Sequence, residues 1–87
     1  MHFVYLIVSK NKNRTISYVG YTNNLKRRIS LHNNNKGAKA TKGFKWILLY
    51  QKKFYTKSKA MSYEYKIKKD RKLRKTIINQ IEKWKKK

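Results

Sequence analysis

The chain has 87 residues, of which 25 are Lys or Arg and only three Asp or Glu, giving a formal charge of +22, and it contains no cysteine or proline. That length allows one small domain over residues 1–87, burying about 60–65% of the surface its unfolded chain exposes; the missing cysteines exclude disulfides and thiolate metal sites. So large a cationic excess repels itself and favours a polyanion, with nucleic acid the default partner because each neutralised phosphate releases counterions.

The first strong element is Phe3-Val4-Tyr5-Leu6-Ile7-Val8, an apolar run of strand length. Phe3, Tyr5 and Ile7 point to one face and Val4, Leu6 and Val8 to the other, so both faces are apolar and the strand belongs in the middle of a sheet. Ser17-Tyr18-Val19-Gly20 is shorter. The polar stretch Ser9 to Thr15 between them predicts an antiparallel hairpin over residues 2–8 and 16–20 with a long tip. Pairing of that kind can set Tyr5 and Tyr18 on one face.

Thr22-Asn23-Asn24 offers N-cap chemistry for a helix running to about His32. Leu25 and Ile29 share one face of it, with Arg28 and His32 a turn apart at the border, while Lys26 and Arg27 point to solvent or to a phosphate backbone. Asn33 to Gly43 has no periodicity and no acid. Its three asparagines, two glycines and Lys36, Lys39 and Lys42 predict a loop with exposed backbone donors and cations suited to phosphate. Trp46-Ile47-Leu48-Leu49-Tyr50 marks a third strand within Phe44 to Phe54.

Ser58 is the candidate cap of a helix from Lys59 to about Lys69, with Ala60, Met61, Tyr63 and Ile67 apolar. Asp70 interrupts the pattern, as a residue favoured at caps does. Leu73, Ile77, Ile78, Ile81 and Trp84 fall at helical spacing, and Lys85-Lys86-Lys87 suits the negative end of that last helix. The expected architecture is α+β: a small three-stranded antiparallel sheet flanked by helices, in the order β-β-α-β-α-α. Nothing approaches the length of a transmembrane helix, and no basic region precedes the N-terminal apolar run. The basic residues are spread over the chain rather than along one amphipathic helix, against a membrane-surface peptide. The protein is expected in the cytoplasm.

Three carboxylates leave little choice for acid chemistry. Asp70 reads as a cap, Glu82 can pair with Lys86, and Glu64 can pair with Lys68. Tyr5 and Tyr18, taken singly, are aromatic core residues with a hydroxyl at the edge, and a lone His32 at a helix end is a cap or core-edge residue. Arg28 is the arginine suited to phosphate, since its planar fork stays charged and contacts two oxygens at once.

Taken together and in order, these segments resemble the GIY-YIG nuclease family. The first motif stands as Phe3-Val4-Tyr5, with Phe3 in place of the family's glycine, and the second as Tyr18-Val19-Gly20. The helix arginine falls on Arg28, followed by His32 in an Arg-x-x-x-His arrangement. Lys36-Gly37-Ala38-Lys39-Ala40-Thr41 is similar to the glycine-lysine loop of small stand-alone members and of the Holliday-junction-resolving branch. Glu64, in Ala60-Met61-Ser62-Tyr63-Glu64, matches the metal ligand. The likeness covers residues 3 to about 75. Tyr21 stands where many members have lysine, and Thr76 and Asn79 are not assigned the role of an asparagine many members carry there.

The resemblance implies a metal-dependent DNA endonuclease similar to the UvrC N-terminal nuclease domain. Tyr5, Tyr18 or His32 would be the base, Arg28 would lie on the phosphate, and Glu64 would hold one divalent metal, Mg²⁺ or Mn²⁺, that keeps most of its waters. All five are expected on one concave face of the sheet. Arg27, Lys36, Lys39 and Lys42 are the expected DNA-backbone contacts, and a protein partner for targeting is plausible because no separate DNA-binding domain is present. The alternative is a non-catalytic nucleic-acid binder, architectural or ribosome-associated, on the same fold. Both readings account for the charge; only the first accounts for the five site residues together.

Overall fold

In the computed structural model the described residues are 1–11, 14–37 and 39–85, with the side chains of 11, 14, 40 and 82–85 excepted. The expectations for Glu82, Trp84 and the terminal lysines therefore lie outside what is described. The order is β1 (His2–Asn11), β2 (Arg14–Thr22), α1 (Leu25–Asn33), a 3-10 turn (Lys39–Thr41), β3 (Ile47–Phe54), α2 (Lys57–Lys69) and α3 (Arg71–Lys85). The three strands form one antiparallel sheet in the order β2-β1-β3, with β1 central. No helix among the described residues is long and apolar enough to cross a membrane.

The doubly apolar β1 explains the layering. Val4 and Leu6 join Val19 beneath Ala60 and Ile67 of α2, with Leu73, Ile77 and Ile78 of α3 packed against them. Tyr5 and Ile7 face the other way, into a second cluster with Trp46, Tyr18, Leu25 and Ile29. Thus α1 covers one face and α2 with α3 the other. Each fully buried Leu or Ile contributes about 1.5–3 kcal/mol, so Ile67→Ala would cost about 2–5 kcal/mol.

Three local expectations change. The hairpin has no long polar tip: β1 continues to Asn11 and β2 begins at Arg14, with the two residues paired. Ser9 is buried, and ladder hydrogen bonds extend through polar residues as readily as through apolar ones. The cap of α2 is Thr56 rather than Ser58, its side chain accepting from the Lys59 N–H at 3.2 Å, so α2 begins two residues earlier. The strand β3 starts at Ile47, leaving Trp46 just outside it. A register shift against β1 then lies between Leu6, opposite Tyr50, and Ile7, opposite Leu48. This bulge turns Leu49 and Tyr50 both toward the α2 face. Asp70 behaves as expected. It ends α2 and its carboxylate accepts from the Leu73 N–H at 3.0 Å, starting α3.

Candidate active site

The register of β1 and β2 decides where the tyrosines go. Tyr18 lies opposite Ile7 and Gly20 opposite Tyr5, so both phenols project from the same face. Their ring centroids are 6.5 Å apart. The Tyr5 ring lies across Gly20: a Cβ there would sit 2.2 Å from the Tyr5 hydroxyl. A side chain at position 20 would fill the space that hydroxyl occupies.

The turn into α1 aims the helix at this spot. The Thr22 hydroxyl accepts from the Asn24 N–H at 3.0 Å, and the Asn24 side chain caps the helix by accepting from Arg27 N–H at 3.2 Å. With the start fixed, Leu25, Arg28, Ile29 and His32 form one stripe facing the sheet. His32 is fully buried. Its Nε2 is 2.7 Å from the Tyr5 hydroxyl and its Nδ1 is 2.9 Å from Thr41 Oγ1. The Tyr18 ring closes over the imidazole, with centroids 5.2 Å apart.

Burial and the neighbouring Arg28 both lower the pKa of His32 below its ordinary value, so the ring is neutral at neutral pH. A neutral imidazole has one donor and one acceptor, which suits two hydroxyl partners. Burial is also the main influence on Tyr5, pushing its pKa up to about 12; the Arg28 guanidinium works against this, while Tyr18 and the Glu64 carboxylate add to it. Arg28 and Glu64 are therefore both within electrostatic reach of the Tyr5 hydroxyl. The Arg28 Nε–H is buried and makes no hydrogen bond of normal geometry. A recess of about 180 Å³ opens beside it, lined by Thr22, Asn23, Asn24, Arg27, Arg28 and Leu31.

Glu64 reaches the site from the other layer. It lies on the sheet-facing stripe of α2 with Ala60, Tyr63 and Ile67, and α2 packs on the face opposite the two tyrosines. The expectation of one concave face thus changes in one respect. Tyr5, Tyr18, Arg28 and His32 gather on the α1 side, and Glu64 approaches from the α2 layer. Its side chain is only 13% exposed, and Lys68 lies 3.3 Å away. Among the described residues no three His, Cys, Asp or Glu gather in a way that would hold a metal ion.

The loop after α1 is built differently from the expectation. Its backbone donors are largely used within the protein: the N–H groups of Asn34, Asn35, Lys36 and Lys42 bond to carbonyls, and that of Gly43 to the Asn35 side chain at 2.8 Å. The asparagines act as clamps. Asn33 accepts from the Trp46 N–H at 2.6 Å and donates to the Trp46 carbonyl at 3.1 Å, and Asn35 adopts a positive φ of 61°. Gly37 lies on the imidazole, where a Cβ would sit 2.5 Å from His32 Nδ1. The side chains of Lys36, Lys39 and Lys42 remain exposed, as does Arg27. Trp46 Nε1–H donates to the Thr41 carbonyl at 2.9 Å, fixing the residue that meets His32. Thr41, Trp46, Gly20 and Gly37 were not assigned to the site by their sequence context. Gly20, Gly37 and Thr41 lie within the motif segments quoted above; Trp46 carried no such signal.

The sequence pattern of the GIY-YIG catalytic domain matches residues 1–79. The chain belongs to the GIY-YIG family. It is 46% identical over 68 residues to a UPF0213 protein of Oceanobacillus iheyensis, covering 77% of this chain and 76% of that one. It is 42% identical over 69 residues to the UPF0213 protein YazA of Bacillus subtilis, covering 78% and 67%. No solved structure matches the chain. In this GIY-YIG domain the tyrosines of both motifs therefore flank one buried histidine, with the helix arginine alongside.

Proposed function

We propose that this chain is a metal-dependent DNA endonuclease that hydrolyses phosphodiester bonds, with Tyr5 and His32 acting as a proton relay. The observation that carries this reading is the buried chain Tyr5–His32–Thr41, beside an arginine whose Nε–H lacks a partner. A phenol held near pKa 12 is a poor base by itself. With the imidazole proton on Nδ1, donated to Thr41 Oγ1, Nε2 is free to accept the Tyr5 proton. The phenolate oxygen then takes a proton from the attacking water, so one proton enters Tyr5 as another leaves it. The resulting imidazolium faces Arg28, and that repulsion favours its return to neutrality.

Arg28 contacts the phosphoryl oxygens, where the developing negative charge is stabilised by a group already positioned. Arg27, Lys36, Lys39 and Lys42 are exposed cations suited to the flanking backbone phosphates. Glu64 is the residue that would hold the divalent cation. A single, largely shielded carboxylate, with no cluster of three His, Cys, Asp or Glu among the described residues, fits a hydrated Mg²⁺ completed by substrate oxygens rather than a dehydrated multi-carboxylate centre. Such an ion supplies charge stabilisation at the leaving oxygen.

The test is incubation of circular duplex and single-stranded DNA with the protein, with and without Mg²⁺. Mg²⁺-dependent nicking that Arg28→Ala loses supports the reading. Tight binding with no cleavage under any divalent metal would favour a non-catalytic binder.

A further inference from the structure

A second recess lies on the opposite side of β2. It has a volume of about 270 Å³ and is formed by Thr15 and Ser17 of β2 with Arg71, Arg74, Lys75 and Asn79 of α3 over an Ile78 floor. The α3 residues recur at i, i+3, i+4, i+7 and i+8, which places them along one helix face. Thr15 and Ser17 alternate with Tyr18 and so point to the α3 layer. Every polar lining group can donate a hydrogen bond, and none is a carboxylate. Among the described side chains the acids are engaged elsewhere, Asp70 on the Leu73 N–H and Glu64 on Lys68.

Two features distinguish this recess from the general basic surface. Arg74 is anchored, its Nη1 donating to the Ile67 carbonyl at 2.8 Å and to the Lys68 carbonyl, so its fork is oriented by the end of α2. Arg71, Lys72, Arg74 and Lys75 also crowd the start of α3, where Asp70 is the one acid and is already engaged by the Leu73 N–H. The positive end of a helix dipole disfavours cations there. An anion in the recess relieves that repulsion.

The distance along β2 says which anion. Gly20, under the Tyr5 hydroxyl, is three residues from Ser17 and five from Thr15, or about 10–17 Å at the strand's rise. Phosphates of one duplex strand climb about 3.4 Å each along the axis but also wind around it, and the two sites lie on opposite faces of the sheet, so the separation is about two to four of them. We propose that the recess between the start of β2 and α3 is a second phosphate site, holding a backbone phosphate about two to four nucleotides from the one at Arg28 on the same DNA strand. This rests on the reading of Arg28 as a phosphate ligand.

The test is binding of DNA oligonucleotides in which one phosphate at a time is replaced by an uncharged methylphosphonate. Wild type should show two positions at which the replacement weakens binding, about two to four nucleotides apart. Arg28→Ala should erase one of them and Arg71→Ala/Lys75→Ala the other. The double variant should bind the unmodified DNA about tenfold more weakly and lower the salt slope by about one. Arg71 and Lys75 are exposed, and circular dichroism checks that the fold holds. A control, Lys57→Ala/Lys59→Ala, removes the same charge from the start of α2 and should leave both positions in place. If the Arg71/Lys75 variant keeps both positions, or loses no more affinity than the control, the recess is not a phosphate site. The scan needs no cleavage, so a protein that shows both positions but never cuts would refute the nuclease reading and leave this site standing.

Discussion

The Tyr5 hydroxyl lies 2.7 Å from His32 Nε2, a contact between the central strand and the first helix made by two side chains with almost no solvent exposure. A buried polar pair is stable only when its hydrogen bonds are satisfied. Here Thr41 completes the set at the far nitrogen. The consequence for pH can be stated with its sign. His32 has a folded pKa below its ordinary value of 6.5, and in the proposed relay the neutral ring is the form that accepts the Tyr5 proton.

Cleavage should therefore stay level as the pH falls through 6.5 and decline only at lower pH. Stability follows the same direction. The unfolded chain binds a proton at His32 more readily than the folded one, so stability is intact above 6.5 and falls as the pH drops from there toward the folded pKa. Tyr5 acts at the other end: with a folded pKa of about 12 against an ordinary 10.0, it contributes stability that is lost as the pH rises through that interval. Rate profiles and urea midpoints across these ranges check both limbs. An acid limb in the rate centred at or above 6.5 would contradict the arrangement.

Thr41→Val keeps the volume but removes the acceptor of His32 Nδ1. Leaving a buried donor unpaired costs about 1–3 kcal/mol, read from the shift in urea midpoint. The imidazole would also lose the partner that fixes its tautomer, so cleavage should fall while DNA affinity is unchanged. Thr41→Ser, which retains the hydroxyl, should recover most of the activity. Activity kept by Val and lost by Ser would mean that the methyl, not the hydroxyl, matters at this position.

Gly20→Ala and Gly37→Ala probe the two close approaches from opposite ends. The new methyl would lie 2.2 Å from the Tyr5 hydroxyl in the first and 2.5 Å from His32 Nδ1 in the second. Overpacking of this kind costs about 1–3 kcal/mol, and each ring must move off its partner. Both variants should lose cleavage beyond what their stability loss explains. Gly43→Ala serves as a comparison, since a Cβ there meets nothing, although its φ of 85° disfavours alanine.

Much of this arrangement was legible in the sequence because β1 states it directly. Alternating apolar residues on both faces of Phe3 to Val8 call for a central strand with helices on either side. The Arg28–His32 spacing calls for one helix stripe. The loop was less legible. Asn33, Asn35 and Gly37 have the composition of a solvated phosphate loop, yet they clamp Trp46, cap Gly43 and clear space for an imidazole. Composition reports that a backbone turns there; it does not report which tertiary partner the turn serves. Thr41 was hidden for the same reason, since a threonine amid lysines carries no sign that it will be buried. The bulge opposite Leu6 and Ile7 escaped because Ile47 to Tyr50 is an unbroken apolar run that reads equally well in either register.

Glu64→Gln separates binding from chemistry. The substitution keeps size and hydrogen-bonding atoms and removes the carboxylate assigned to the divalent cation. Without that cation the charge developing on the leaving oxygen loses a stabilising influence of several kcal/mol, so cleavage should fall below detection. Binding should survive or tighten, because affinity rests on the cations and removing a carboxylate from a phosphate-facing position removes a repulsion. The ion pair with Lys68 is lost as well, but a partly exposed pair spaced i, i+4 on a helix contributes only about 0.3–0.5 kcal/mol, so the fold should hold. Arg28→Ala should also stop cleavage, yet with weaker binding, since it removes the proposed phosphate contact. The two variants thus agree on activity and differ in the sign of their effect on affinity. Cleavage by Glu64→Gln at the wild-type rate in Mg²⁺ would place the metal elsewhere and overturn the role given to this residue.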